Sequence, residues 1–136
     1  MKLLPGLVGL VLLLTSCARD ASSAGGGRSD VRCELLGLEA ADDEQATATF
    51  RFTNQGDAPF TYRGYSPDGP LYECEVLEGG TWQASLVGWC GTGLSEQRLE
   101  PGRSIEFTAA LPRDGRSYRF TIGEPAVRTP EVSSPR

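Results

Sequence analysis

Four cysteines, at positions 17, 33, 74 and 90, are the side chains of this sequence best equipped for chemistry. A thiolate is a nucleophile, a metal ligand or one half of a disulfide. The usual helpers are missing. The 136 residues contain no His, and Lys2 is the one Lys, so twelve of the thirteen basic residues are Arg. Imidazole bases, imidazole metal ligands and, beyond Lys2, lysine Schiff bases are excluded by composition. Serines are numerous, but no His and no Lys in the body is there to activate them. The carboxylates fall mainly on turns and outward strand positions, so no enzyme is expected.

Other candidates are weak for stated reasons. Asp42-Asp43-Glu44 offers oxygens suited to Ca²⁺ but no further spaced ligands, and reads as a solvated turn. Gly91-Thr92-Gly93 is followed by neither Lys nor a helix, so it reads as a tight loop and not a phosphate cradle. Three thiols with neither His nor an internal Met make a poor copper or zinc set, and no metal or cofactor is expected. A net charge of −5 gives no support for nucleic-acid binding.

Cys17 stands apart by its context. It follows Leu3 to Leu14, an apolar run of twelve residues that is too short to cross a bilayer untilted and suits a signal-peptide core. The run closes on Leu14-Thr15-Ser16-Cys17, an aliphatic residue and two small residues before a cysteine. This resembles the bacterial lipoprotein signal. The resemblance implies that residues 1–16 are removed and that Cys17 carries the lipid by which the chain is anchored to a membrane. In that family an Asp directly after the cysteine marks retention in the inner membrane. Ala18 stands there, so the outer membrane is expected where the host has two. Cleavage would leave twelve Arg against eighteen acidic residues, or −6. Such a body is not drawn to anionic headgroups, and the lipid alone should make the membrane contact.

The remaining segments must position everything else. Residues 17–30, Gly- and Ser-rich after the cysteine, read as a flexible tether with a reach of about 20 Å. Residues 124–136 hold three prolines and no aromatic, and read as a disordered tail. Between them, residues 31–123 alternate apolar and polar side chains in short runs. Ala46, Ala48, Phe50 and Phe52 alternate with Thr47, Thr49, Arg51 and Thr53; Ile105, Phe107, Ala109 and Leu111, then Tyr118, Phe120 and Ile122, repeat the pattern. Trp82 is expected among the core residues with these. Seven strands with turn signals between them predict an all-β fold, a single antiparallel β-sandwich. The body resembles the small immunoglobulin-like or fibronectin-like modules of bacterial envelope proteins, on the strength of Trp89-Cys90-Gly91-Thr92-Gly93 and the Leu99-Glu100-Pro101-Gly102 approach to a late strand.

Three cysteines remain after Cys17, enough for one disulfide and one free thiol. Gly79-Gly80 reads as a two-residue hairpin whose paired positions sum to 159, and a fold-back at Gly88 would bring Cys90 towards Cys74. Cys74–Cys90 is the favoured bridge, with a pairing of Cys33 and no disulfide left open. The function expected is a membrane-anchored, non-catalytic binding or structural module of the cell envelope, whose partner is an envelope protein or polymer. Two alternatives stand beside it: a carbohydrate or cell-wall polymer module using exposed aromatics such as Tyr65 and Trp89, and a protease-inhibitor module.

Overall fold

The computed structural model describes residues 30–85 and 91–136. In chain order its strands are β1 (Val31–Ala40), β2 (Gln45–Asn54), β3 (Phe60–Ser66), β4 (Gly69–Pro70), β5 (Glu73–Glu78), β6 (Thr81–Ser85), β7 (Ser95–Leu99), β8 (Ser104–Pro112), β9 (Ser117–Ile122), β10 (Val127–Arg128) and β11 (Val132–Ser133). No helix occurs among the described residues. The strands form three antiparallel sheets: β1-β2-β8, β10-β9-β5-β6 with β11 also on β9, and β4-β3-β7.

The two-residue period explains the layers. In β2, Ala46, Ala48, Phe50 and Phe52 are buried, while the intervening Thr and Arg side chains face outward. In β8, Phe107, Ala109 and Leu111 do the same, with Phe107 directly across from Phe50. On the outer face of the same pair, Arg51 meets Glu106 at 2.6 Å. From the second sheet, β9 supplies Tyr118, Phe120 and Ile122. Phe50 stacks on Phe107 at 5.4 Å and meets Phe120 edge-on at 5.6 Å. Tyr72 packs against Phe107 at 6.3 Å and Phe120 at 5.1 Å. These rings join the two sheets face to face, so the chain is an antiparallel β-sandwich of the expected class.

Asn54 closes one end of the sandwich. It is buried, and its side-chain amide donates to the carbonyls of Ala58 and Leu99, each at 2.8 Å. Its Oδ1 accepts from the Gly56 N–H at 3.0 Å. Its backbone N–H and C=O pair with Arg103 and Gly102. One side chain thus ties the end of β2, the turn that follows it and the end of β7.

The structure departs from the sequence reading in four places. First, β7 is an added strand. Ser95–Leu99 reads SEQRL and buries Leu99 alone at its end, so it carries almost no periodic signal, yet it pairs with β3 from Phe60↔Leu99 to Gly64↔Ser95. Second, residues 124–136 are not a disordered tail, and the folded unit runs past 123 to the C-terminus. Val127↔Ile122 and Val132↔Tyr118 add β10 and β11 to β9 and bury both valines. The prolines are compatible because Pro125, Pro130 and Pro135 lie outside the two-residue pairings. Third, Trp82 is only half-buried and outside the core. The hairpin has the expected register, with Gly79 and Gly80 at φ 58° and 82° and Leu77 across from Trp82. Leu77 lies on the face opposite the buried Cys74 and Val76, so Trp82 shares that outer face. Fourth, Ile105 packs against the core while staying partly exposed near the start of β8.

Candidate functional site

Cys17, the expected lipid-attachment residue, lies outside the described residues, as do Cys90 and Trp89. Cys74, the other end of the favoured bridge, is a buried free thiol on β5, across from Phe120 on one side and Ser85 on the other. Burial raises its thiol pKa, with a hydrogen bond involving Ser85 acting against the shift. Cys33 on β1 is also free and half-buried. Desolvation, aided by the Glu34 carboxylate, pushes its thiol up to about 12. Both thiols are therefore protonated near neutral pH and poor nucleophiles.

Two surfaces remain on which chemistry can be read. The first is the outer face of the β9-β5-β6 strands. There the Arg119 guanidinium lies over the Trp82 ring, 4.2 Å from its centre. Glu75, between them on β5, accepts a hydrogen bond from Arg119 Nε at 2.5 Å. That bond is the main cause holding the Glu75 carboxyl below its ordinary range, with charge from Arg119 and Arg128 adding to it. The result is an aromatic plate fixed in place by a cation–π contact and an ion pair.

The second is a cleft of about 510 Å³ where the β3-β7 pair approaches the ends of β5 and β9. Tyr62 and Tyr72 form part of its wall, and Arg63, Glu73, Glu96 and Glu124 also line it. Both tyrosines are buried, and desolvation raises their phenol pKa values, so they stay neutral at physiological pH. Gly123 lets the chain pass close to β3: it has φ 74°, and a Cβ there would stand 2.4 Å from the Phe60 ring. A ligand of drug-like size fits a volume in this range.

Asp42, in the first hairpin, accepts from the Glu44 and Gln45 backbone N–H groups at 2.8 and 2.7 Å, which is turn chemistry. Of the aromatics considered for contact, Tyr65 is 40% exposed. The cleft was missed by sequence reasoning because its lining comes from four separate stretches. The plate was detectable, since the hairpin register alone puts Trp82 across from an outward Leu77.

No protein-family model matches the chain, and no curated protein matches it. Among solved structures, the chain is similar to a crystal structure from Bordetella pertussis of a protein provisionally named ApaA. The TM-score is 0.51 at 20% identity, over 79% of this chain and 95% of that one. At that identity the likeness shows the fold alone.

Proposed function

We propose that the chain is a lipid-anchored, non-catalytic binding module of the bacterial cell envelope, held to the membrane through Cys17 and offering its sandwich to an envelope protein or polymer. The observation that carries this reading is Leu14-Thr15-Ser16-Cys17 at the end of an apolar run, followed by Gly- and Ser-rich residues ahead of β1. The non-catalytic part is supported by a sequence without His, by the absence of Lys beyond Lys2 and by two thiols held protonated. The test is fractionation. Cys17→Ser should lose its acyl mass and leave the membrane fraction, or accumulate as uncleaved precursor. A variant that partitions into detergent like the parent sinks the anchor. In a host with two membranes, co-sedimentation of the native protein with inner-membrane markers sinks the outer-membrane assignment.

A second reading, a carbohydrate or cell-wall polymer module, is favoured by Trp82 on an outer sheet face, because aromatic plates stack on sugar rings. Pull-down on purified cell wall should then fall for Trp82→Ala and hold for Tyr65→Ala. Equal retention of Trp82→Ala and the parent excludes the plate as the sugar contact.

A further inference from the structure

The sheet β1-β2-β8 ends on a strand unlike the other edges of the fold. β1 is ten residues long, holds neither Pro nor Lys, and among the described residues pairs with β2 alone. β10, in the facing sheet, comes near it without pairing. Exposed edges are usually protected by shortness, by Pro or by charge at inward positions. β6 and β7 have five residues, β4 has two, and β8 ends at Pro112. The inward positions of β1 carry no charge. They are Cys33, Leu35 and Leu38, across from Phe52, Phe50 and Ala48. Those three partners are fully buried, yet Cys33 and Leu38 are half-buried and Leu35 is 38% exposed. Leu36, the extra residue of a bulge between Leu35 and Gly37, is 42% exposed. The apolar layer therefore runs out at β1 with its side chains uncovered.

We propose that β1 joins antiparallel to β1 of a second copy of this chain, around a two-fold axis at the Leu35-Leu36 bulge. The ladder fixes which main-chain groups are available. The Gln55 N–H donates to the Asp30 carbonyl at 2.9 Å, so Asp30, Arg32 and Glu34 turn their backbone groups towards β2, and Cys33 and Leu35 turn theirs away. Beyond the bulge the Ala41 N–H donates to the Gln45 carbonyl at 2.9 Å, so Gly37 and Glu39 face β2 and Leu38 faces away. A register centred on the bulge then sets Cys33 across from Leu38 of the second copy as a hydrogen-bonded pair, both inward. It brings the exposed Leu35 and Leu36 together and sets Arg32 across from Glu39, each contact twice by symmetry. Arg32 and Glu39 are both exposed and both outward, across from Thr53 and Thr47. They would form a non-hydrogen-bonded pair, in which opposed side chains lie closest. Arg32 already meets Glu34 of its own strand at 2.7 Å, but that pair is open to water and weak. The neighbouring in-phase registers set Glu39 against Glu34 or Asp30, like charge on like, so the charge pattern selects the one centred on the bulge. This pairing does not depend on the anchored reading.

The test uses two differently tagged copies of the full chain, co-expressed, solubilised in uncharged detergent and read as recovery of one tag with the other. The parent should co-capture. Arg32→Glu against itself places Glu on Glu at both ends of the seam, and Glu39→Arg against itself places Arg on Arg. Each should weaken self-capture by about tenfold or more. Arg32→Glu mixed with Glu39→Arg restores two opposite-charge pairs and should capture like the parent, as should the double variant Arg32→Glu/Glu39→Arg with itself. Glu34→Gln should change capture by no more than about twofold, since Glu34 would lie across from Gly37. Arg32 and Glu39 are exposed, so the variants should fold, and circular dichroism checks this. No co-capture of the parent, equal co-capture in every combination as shared micelles would give, or no recovery in the mixture would overturn the proposal. A large loss in Glu34→Gln would overturn the register in favour of a short pairing centred on Cys33. None of these outcomes touches the Cys17 fractionation result.

Discussion

Replacing Asn54 should cost this fold more than any other single polar change, and the cost can be worked out contact by contact. Asn54→Ala removes three hydrogen bonds. Gly56 and Ala58 lie in an accessible turn, where water can replace the lost partner. Leu99 is buried, so water is poorly placed to replace the amide donor at its carbonyl. An unsatisfied buried polar group costs about 1–3 kcal/mol, and the two replaceable bonds add a few tenths to one more, for a total of about 2–3 kcal/mol. That is a large part of a small domain's stability and corresponds to a melting temperature lower by about 10 °C or more. Asn54→Asp is the sharper probe. A carboxylate keeps the bond from Gly56 but turns an oxygen towards two carbonyl oxygens. Burial and those carbonyls raise its pKa in the folded state. A raised carboxyl pKa destabilises the fold above the unfolded value of about 3.9, and the deficit vanishes below it. Urea denaturation at pH 7 and pH 4 should therefore show Asn54→Asp less stable than Asn54→Ala at pH 7, with the gap narrowing at pH 4. An Asn54→Ala variant within about 0.5 kcal/mol of the parent, the scatter of ordinary surface changes, or an Asn54→Asp deficit that ignores pH, would refute the reasoning.

Truncation after Gly123 should destabilise the domain by about 3–5 kcal/mol, since it exposes the core positions filled by Val127 and Val132 at about 1.5–3 kcal/mol each; a truncated chain melting with the parent contradicts the pairing of β10 and β11 with β9. Phe107→Ala should cost about 3–5 kcal/mol in denaturant titration, because the ring touches Phe50, Phe52 and Tyr72 in the seam. Asp114 is partly desolvated, which alone would raise its carboxyl, but bonds from Tyr118 and Arg116 outweigh this and hold it below its ordinary 3.8. Its stabilisation is present above that value and lost as pH falls below it, so acid titration of Asp114→Asn should show a shallower loss than the parent below about pH 4. Peptide mapping under non-reducing conditions should recover Cys33 and Cys74 as free thiols that are slow to alkylate, as their burial and raised pKa values require; a linked peptide joining Cys74 to Cys90, or one containing Cys33, overturns this.

The alternation in β2, β8 and β9 was legible because each strand buries one whole face, and a period of two then writes itself into the residue types. Trp82 shows where period alone fails. Its strand alternates cleanly, but alternation does not say which face is inward, and on the edge strand β6 no residue is fully buried. The register decides. A two-residue turn at Gly79-Gly80 pairs Leu77 with Trp82 and Val76 with Gln83, so an inward Val76 forces an outward Trp82. The information lay in the turn, and size and hydrophobicity of the indole pointed the other way. The last thirteen residues fail differently. Their valines are singletons between prolines, with no run long enough to show a period, and they are ordered by β9, which the rest of the fold has already built.

The cleft marks the limit of sequence reading in a stronger sense. Glu73 sits on an outward position of β5, Glu96 on a nearly featureless β7, and Glu124 just beyond the glycine that lets the chain pass Phe60. Nothing local distinguishes these carboxylates from Glu75 or Glu106, which look the same in sequence and end in ion pairs. Arg51 and Arg119 lie across from Glu106 and Glu75 and close on them, whereas Arg63 lies across from Glu96 without an ion pair, and these pairings join strands far apart in the chain. Charge composition therefore counts acids, while the fold decides which of them remain unneutralised and gathered.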